Sequence, residues 1–351
     1  MSLYSENSSN EVISSSSVLL EMMYGYQISQ GIFVATKLGI PDILHDGSKT
    51  ADELAEAIAV DARSIYHLMR MLVSVGVFSV ESDRKFKLNS LSQHLLTGTS
   101  DSLRGTVMAM GDELYRVWGN LFQAIKTGEN AFNSTFKMSF YNYLQQNSES
   151  SFNFNEWMKE TTREWLLPLL EAYDFSAVKT LVDVGGGVGS LTAAILKANP
   201  KMQAILFDRE DVVVDADRVL EVAGVADRCQ IVGGNFFDSI PSGGDVYLLS
   251  RVLLNWDDTQ AMKILQNCHR VMTSEDRLVV VDFMLPQNQK MSPFIGMGGL
   301  TLFLLGGNFM RTEDEFYNLL SAGGFKVYNT IETKGPVSAI EAKVGGVRDT
   351  E

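Results

Sequence analysis

The chain has 351 residues, 45% hydrophobic and 21% charged, which is a composition typical of globular proteins and allows two or three domains. Its formal net charge of -14 argues against nucleic acid as a partner, because an acidic surface repels phosphate backbones. The two cysteines, Cys229 and Cys268, are too few for a disulfide framework and lack metal-ligand spacing, so we expect a cytoplasmic protein without a metal site.

The amino-terminal segment is polar and rich in serine. Residues 1–17 are therefore predicted to form a disordered leader rather than a signal peptide or an anchor. The longest apolar stretch, near Phe294 to Gly307, is interrupted by glycines and is too short to span a bilayer. We expect no membrane association.

Residues 18–100 are predicted to form a mostly helical domain. Leu19, Met22, Met23 and Tyr26 recur at the spacing of one helix face, and a second helix is expected over residues 30–38.

The later part of this region has the order of a winged helix. Thr50 and Glu53 have the spacing of a capping box at the start of a short helix. A helix over residues 62–75 and a small hairpin over residues 78–88 follow.

A winged helix raises the possibility of DNA binding. The helix from residue 61 to residue 75 carries only Arg63, His67 and Arg70 as possible basic contacts, whereas a DNA-reading helix needs several phosphate and base contacts. We prefer an apolar packing or dimer surface that uses the Met and Leu residues of 18–38 and 65–72.

Residues 101–173 are predicted to be a helical linker and substrate-pocket region with many aromatic residues. Phe136, Trp157 and Trp165 either belong to the core or line a pocket for a flat substrate; the sequence favours neither.

From residue 174 to residue 345 the pattern changes to short apolar runs that alternate with helical stretches. This alternation predicts an α/β, doubly wound, Rossmann-like domain. The expected strands are residues 181–184, 204–207, 230–232, 245–249 and 277–283, with two more near Lys326 and Ala339.

The glycine-rich segment over residues 181–189 lies where the first of these strands turns into a helix. Gly185 and Gly187 let the backbone approach a ligand and leave amide groups free at a helix N-terminus. Such a turn suits a dinucleotide or S-adenosylmethionine. The loop has no basic residue for a pyrophosphate, and Asp183 can face a cationic amino or sulfonium group, so we favour S-adenosylmethionine.

Two later strand ends add polar and aromatic groups. Asp208 follows the glycine turn by about 20 residues, where a carboxylate can accept the ribose hydroxyls. Asn235 is expected to bind the adenine edge and Phe236 to cover the adenine face.

Taken together, the segments DVGGGVG, FDREDVV, GGNFFDSIP, LLSRVLLNWDD and GGNFMRTEDEF resemble the small-molecule S-adenosylmethionine-dependent O-methyltransferases of the plant caffeate and bacterial type. The resemblance extends from about Val18 to Val344. It implies an amino-terminal winged-helix dimerisation domain, a homodimer, and methylation of hydroxyls on phenols, flavonoids, indoles or polyketides. By resemblance, the cofactor site is lined by Gly185, Gly187, Asp208, Asn235, Phe236 and Ser250.

The chain departs from this family at its catalytic positions. Most members have a His-Asp-Trp segment whose histidine is the general base, but Leu254 stands at the histidine position here. Met310 occupies a position before Arg311 that is acidic in the family, and it is expected to line the substrate pocket. Asp282 matches an acidic family position and is a candidate catalytic residue.

The LLNW segment resembles the anthracycline-type branch of the family, in which placement of an already acidic phenol drives methyl transfer. Orientation alone contributes roughly 7–11 kcal/mol, whereas a general base adds about 10²–10⁴-fold. Phe136 aligns with a pocket tyrosine of that branch, so one hydroxyl is lost.

Two polar residues near this segment are further catalytic candidates. Arg251 can hold a phenolate or enolate anion, or form an ion pair with Asp245 or Asp257. Asn255 can orient the substrate or cap the following helix, and we prefer the cap.

We therefore expect an O-methyltransferase that acts on an acidic hydroxyl of an aromatic secondary metabolite, of the polyketide or hydroxypyrrole type. One alternative is a non-methylating enzyme of the same fold, such as a hydroxylase, decarboxylase or pericyclase. The other is a DNA-binding regulator.

Overall fold

A computed structural model describes residues 14–285 and 291–345. The chain divides into two compact units, of which the first ends at Asp112 and the second begins at Glu113. Residues 1–13 of the predicted leader lie outside the described residues, whereas residues 15–17 are helical. The side chain of Ser14 caps this first helix by accepting a hydrogen bond from the Ser17 amide, so the prediction of a leader up to residue 17 is wrong at its end.

The first unit is helical apart from one short hairpin. Its elements are α1 (Ser15–Lys37), α2 (Ile40–His45), α3 (Ala51–Ile58), α4 (Ala62–Ser74), β1 (Ser79–Val80), β2 (Phe86–Lys87) and α5 (Arg104–Ala109). The capping box of Thr50 and Glu53 and the predicted order of helix, turn, helix and hairpin are confirmed. The prediction of a separate helix over residues 30–38 is wrong, because α1 is continuous to Lys37.

The core of this unit is formed by the inner faces of its helices and hairpin. Ile65, Met69 and Leu72 of α4 are buried together with Phe78 and Phe86. These α4 residues therefore pack inside the unit and are not available as a dimer surface. The amino-terminal half of α1 is different, because its apolar side chains are exposed: Val18, Leu19, Leu20, Met22, Met23, Tyr24 and Tyr26.

The second unit begins with helices and continues as an α/β domain. The leading helices are α6 (Tyr115–Gly119), α7 (Leu121–Thr127), α8 (Ala131–Phe136), α9 (Phe140–Gln146), α10 (Ser148–Thr161) and α11 (Pro168–Ala172). The following elements are β3 (Thr180–Val184), α12 (Ser190–Ala198), β4 (Gln203–Asp208), α13 (Glu210–Val213), α14 (Ala216–Ala223), β5 (Cys229–Gly233), β6 (Val246–Ser250), α15 (Asp258–Val271), β7 (Arg277–Asp282), α16 (Pro293–Gly306), α17 (Glu313–Ala322), β8 (Phe325–Glu332) and β9 (Ser338–Val344).

The strands of the second unit form one seven-stranded sheet with the order β5-β4-β3-β6-β7-β9-β8. The five strands from β5 to β7 are parallel to their neighbours, whereas β9 runs antiparallel to both β7 and β8. The Rossmann-like prediction is confirmed. Because β3 pairs with β4 on one side and with β6 on the other, the strand order reverses at β3, where open α/β sheets bind ligands.

Alternate residues of β3 pack into two separate layers. Leu181 lies in a cluster with Leu191 and Ile195 of α12, whereas Val182 lies in a cluster with Ile264 of α15 and Phe316 of α17. The sheet is thus covered on both faces, so its ligand-binding edge is the one formed by the carboxyl ends of the parallel strands. Within the described residues, no helix is long and apolar enough to cross a membrane.

Candidate active site

The glycine-rich turn after β3 has the backbone conformation that the sequence predicts. Gly185, Gly187 and Gly189 have φ values of 77°, 63° and 83°, in the left-handed region that favours glycine. A Cβ atom on Gly185 would lie 2.8 Å from a methyl group of Val252. The turn therefore exposes backbone without side chains at the carboxyl end of β3, next to the start of α12.

Asp183 lies beneath this turn rather than in front of it. Its side chain is 1% exposed, and Oδ2 accepts a hydrogen bond of 2.5 Å from the Thr192 hydroxyl. Burial raises the pKa of Asp183 to about 6. In this structure the carboxyl group links the glycine-rich turn to α12 through Thr192. Its predicted contact with a cationic group stays a prediction.

Asp208 closes the turn from the end of β4. Its Oδ2 accepts the Gly187 amide at 2.8 Å and its Oδ1 accepts the Arg209 amide at 2.7 Å. Burial raises the pKa of this carboxyl group. Asp208 is thus fixed beside the glycine turn, at the position expected for a ribose-binding carboxylate.

Tyr141 of α9 lies close to Asp208. Its ring stacks on Trp256 with a centroid distance of 5.7 Å, and the Arg209 guanidinium lies 5.9 Å from its centre. Burial, reinforced by the Asp208 charge, raises the pKa of the phenol to about 12. The sequence places Tyr141 among many aromatic residues, and nothing in its local spacing distinguishes it.

The end of β5 contributes Asn235 and Phe236. The Asn235 carboxamide is exposed and takes part in a local turn, donating to Asp238 at 3.0 Å and accepting the Phe237 amide at 3.1 Å. The Phe236 ring lies against Gly185, since a Cβ there would be 3.6 Å from it. Phe236 is therefore well placed to cover a ligand, whereas the adenine contact of Asn235 stays a prediction.

The end of β6 places two polar side chains at the edge of the sheet. The Ser250 hydroxyl is buried and has no hydrogen-bond partner among the described residues. Arg251 has φ = 55°, a left-handed conformation that costs energy for a non-glycine residue and that often marks a functional site.

The Arg251 guanidinium is held by neutral groups. Nη1 donates to the Thr161 hydroxyl at 2.8 Å and Nη2 to the Thr162 hydroxyl at 3.4 Å, while the group lies 5.9 Å from the Trp165 ring centre. Both threonines lie where α10 widens into a π-helical turn, Thr162–Leu166, a feature common at functional sites.

No carboxylate of the described residues forms an ion pair with Arg251, and its buried Nε has no partner there. The alternative of an ion pair with Asp245 or Asp257 is therefore wrong: Asp245 accepts the amides of Lys179 and Thr180, and Asp257 caps α15. Burial lowers the pKa of Arg251 to about 10. A desolvated cation of this kind favours an anionic ligand.

Asp282 at the end of β7 is fully buried. Its Oδ2 accepts the Leu254 amide at 3.2 Å and its Oδ1 accepts the Phe283 amide at 3.0 Å. Burial raises the pKa of Asp282 to about 7. Both carboxyl oxygens thus hold main-chain amides, including that of Leu254, and the catalytic role of Asp282 stays a prediction.

Asn255 does not cap α15, so the preferred interpretation is wrong; Asp257 is the cap residue. The Asn255 side chain donates to the Arg251 carbonyl at 2.9 Å and so links two candidate catalytic residues. Its predicted role in orienting substrate stays a prediction.

Leu254 and Met310 are both apolar and both buried, at positions where the similar family has a histidine and an acidic residue. Leu254 and Met310 belong to one hydrophobic cluster, and Trp165 packs against it. The Met310 side chain lies against Gly298 and Gly299 of α16. The structure thus places Trp165, Met310 and Leu254 in or against the same hydrophobic cluster.

The other two predicted pocket residues lie in a different aromatic group. Phe136 stacks on Phe132 at 4.6 Å and packs against Tyr143 at 4.7 Å. Trp157 contacts Phe154 at 6.0 Å. Phe136 therefore behaves as part of the helical core, and its role in a pocket stays a prediction.

These features fit S-adenosylmethionine. A glycine turn with free backbone, the Asp208 carboxylate, the Phe236 ring and the orphaned Ser250 hydroxyl lie at adjacent strand ends. Within the described part of the chain, no group of three or more His, Cys, Asp or Glu side chains could hold a metal ion.

Comparisons with known proteins decide the family. Residues 118–326 match the model of an O-methyltransferase domain and residues 20–98 match that of an O-methyltransferase dimerisation domain. The chain belongs to this O-methyltransferase family. It is an enzyme that uses S-adenosylmethionine.

Relatives match this O-methyltransferase over nearly their whole length. Phenazine O-methyltransferase PhzM from Lysobacter antibioticus is 38% identical, over 96% of this chain and 99% of the relative. The crystal structure of LaPhzM superimposes with a TM-score of 0.91 and 38% identity, covering 95% of this chain and all of that one. NcsB1, an O-methyltransferase from neocarzinostatin biosynthesis solved with S-adenosylmethionine and 2-hydroxy-5-methyl naphthoic acid, has a TM-score of 0.78 and 28% identity over 90% and 95% of the two chains.

Replacing Arg251 by glutamine is expected to weaken binding of an anionic ligand by about 10- to 100-fold, because a hydrogen bond to a charged group contributes about 1.5–3 kcal/mol. The Tm is measured alongside, since the substitution also removes hydrogen bonds to Thr161 and Thr162 and a positive charge that acts on Asp282. Calorimetric titration with S-adenosylhomocysteine shows whether Arg251 binds the cofactor carboxylate. The KM of the acceptor shows whether Arg251 binds the acceptor anion. Arg218→Gln, at an exposed position on α14, is the control. Unchanged affinity for both ligands would contradict the assignment.

Proposed function

We propose that this O-methyltransferase methylates an acidic hydroxyl of a flat aromatic secondary metabolite and does so without a protein general base. The observation that carries the proposal is that Leu254 and Met310 are apolar and buried in one cluster, while the turn that carries Leu254 is hydrogen-bonded to the backbone of the desolvated cation Arg251. An apolar site cannot accept a proton, so the acceptor has to arrive ionised. A nearby cation favours that ionised form.

The reaction then depends on placement. S-adenosylmethionine supplies a methyl group on an electrophilic sulfonium. The acceptor phenolate forms the new O–C bond as the S–C bond breaks, and the bonding pair stays on sulfur, so no proton is transferred. Arg251 stabilises the anion and, with Asn255, fixes its orientation, which can supply roughly 7–11 kcal/mol of the barrier reduction.

The relatives support an aromatic acceptor of this kind. The names of two of them include a phenazine and a hydroxylated naphthoic acid, both planar aromatic compounds. The alternatives of a non-methylating enzyme and a DNA-binding regulator gain no support from these relatives, which are named as methyltransferases.

We also propose that the chain forms a homodimer through the exposed amino-terminal half of α1. This segment presents seven large apolar side chains to solvent, and the matched dimerisation domain, residues 20–98, includes five of them. Apolar patches of this size are typical of protein interfaces. We also propose a cytoplasmic location and no nucleic-acid partner. We further propose that domain boundaries lie near residues 100 and 173.

Incubation with methyl-deuterated S-adenosylmethionine and a panel of hydroxylated aromatic polyketides and bipyrroles tests the reaction. We expect a product heavier by one labelled methyl group, detected by mass spectrometry, with the most acidic phenols converted best. Cofactor binding followed by an unlabelled, rearranged or oxidised product would contradict the proposal and favour non-methylating chemistry.

Replacing Met23 by aspartate is expected to move the protein from dimer to monomer, because burying an unpaired carboxylate in an apolar interface is strongly unfavourable. Light scattering after size-exclusion chromatography measures the mass. Val222→Asp, at a residue that is 86% exposed on α14, is the matched control. A wild-type monomer, or a Met23→Asp dimer as stable as the control, would contradict an α1 interface.

A further inference from the structure

Arg311 forms hydrogen bonds with the short turn that carries Leu254. Its side chain is buried, Nη1 donates to the Leu253 carbonyl at 2.7 Å, and Nη2 donates to the Trp256 carbonyl at 2.7 Å. The turn Leu253–Asn255 is a single 3₁₀ turn. A short turn of this kind has few hydrogen bonds of its own to fix its position, so the contacts from Arg311 matter.

Two further side chains hold the same turn from other directions. The Asn308 amide donates to the Asn255 carbonyl at 2.5 Å, and the Asp282 carboxylate accepts the Leu254 amide at 3.2 Å. Asn308 and Arg311 come from one segment that also carries Met310. The backbone of residues 253–256 is therefore fixed between β7 and the segment that precedes α17.

The shape of the Arg311 side chain matters as well as its charge. Its ion-pair partner Asp258, at 2.7 Å, is 82% exposed in its side chain. The two main-chain carbonyls are the partners that require a planar guanidinium, because a lysine ammonium cannot reach both in the same geometry.

We propose that Arg311 is a positioning residue for methyl transfer: by holding the Leu253 and Trp256 carbonyls it sets the position of the acceptor relative to Arg251. The turn is linked to the backbone of Arg251, since the Asn255 side chain in this turn donates to the Arg251 carbonyl. This inference rests on the proposed function, because a reaction driven by placement is sensitive to small displacements. A misplacement of about 1 Å can cost about 10²-fold in rate.

The test compares Arg311→Lys with Arg228→Lys. Arg228 also donates to main-chain carbonyls, those of Leu196, Asn199 and Met202, but these lie around the carboxyl-terminal end of α12. We expect Arg311→Lys to lower kcat by about 10-fold or more, with the Kd for S-adenosylhomocysteine within about twofold of wild type and no shift in the pH profile. Arg228→Lys is expected to lower Tm without lowering kcat.

Asn308→Ala gives a second, milder test if Arg311→Lys folds poorly. It removes one hydrogen bond to the turn and is expected to lower kcat about threefold. Wild-type kcat in both variants, or an equal loss in Arg228→Lys, would overturn the positioning role while leaving the proposed function intact. Failure of the wild-type enzyme to form any methylated product would overturn both.

Discussion

The parallel pairing of β3 with β4 on one side and with β6 on the other is the constraint on which the site depends. It places the ends of these strands, together with that of β7, at one edge of the sheet. The glycine turn, Asp208, Ser250 and Arg251 therefore meet although they are far apart in sequence. Both faces of the sheet are covered, since alternate β3 residues are buried in two layers, and open α/β sheets bind ligands at the carboxyl ends of their strands.

The charged and apolar side chains at this edge support the proposal that the site binds an anion and does not itself transfer a proton. Arg251 is a desolvated cation held by hydroxyl groups, whereas Leu254 and Met310 fill the positions where the family has a base and an acid. Both carboxyl oxygens of Asp282 accept hydrogen bonds from main-chain amides. The hydrogen bonds that position residue 254 are thus present, but the side chain at this position is the apolar Leu254.

Much of this arrangement could be predicted from the sequence, because strand and glycine-turn patterns are local. The Rossmann-like domain, the turn at Gly185 and the capping box at Thr50 are confirmed. Predictions that depend on where a side chain points did less well: Asp257 caps α15, and Asn255 donates to the Arg251 carbonyl instead. The stacking of Tyr141 on Trp256 and the contact of Arg311 with the Leu253 carbonyl have no local signal in the sequence, since each involves a distant segment.

The central claim is that the acceptor's own acidity replaces the missing base. Its most direct test measures kcat/KM of Leu254→His and of the wild-type enzyme on two acceptor phenols whose pKa values differ by about two units. On the more acidic phenol, the histidine is expected to change the rate by no more than a small factor. A gain of about 10²-fold or more on that phenol, the size of effect typical of a general base, would contradict the claim.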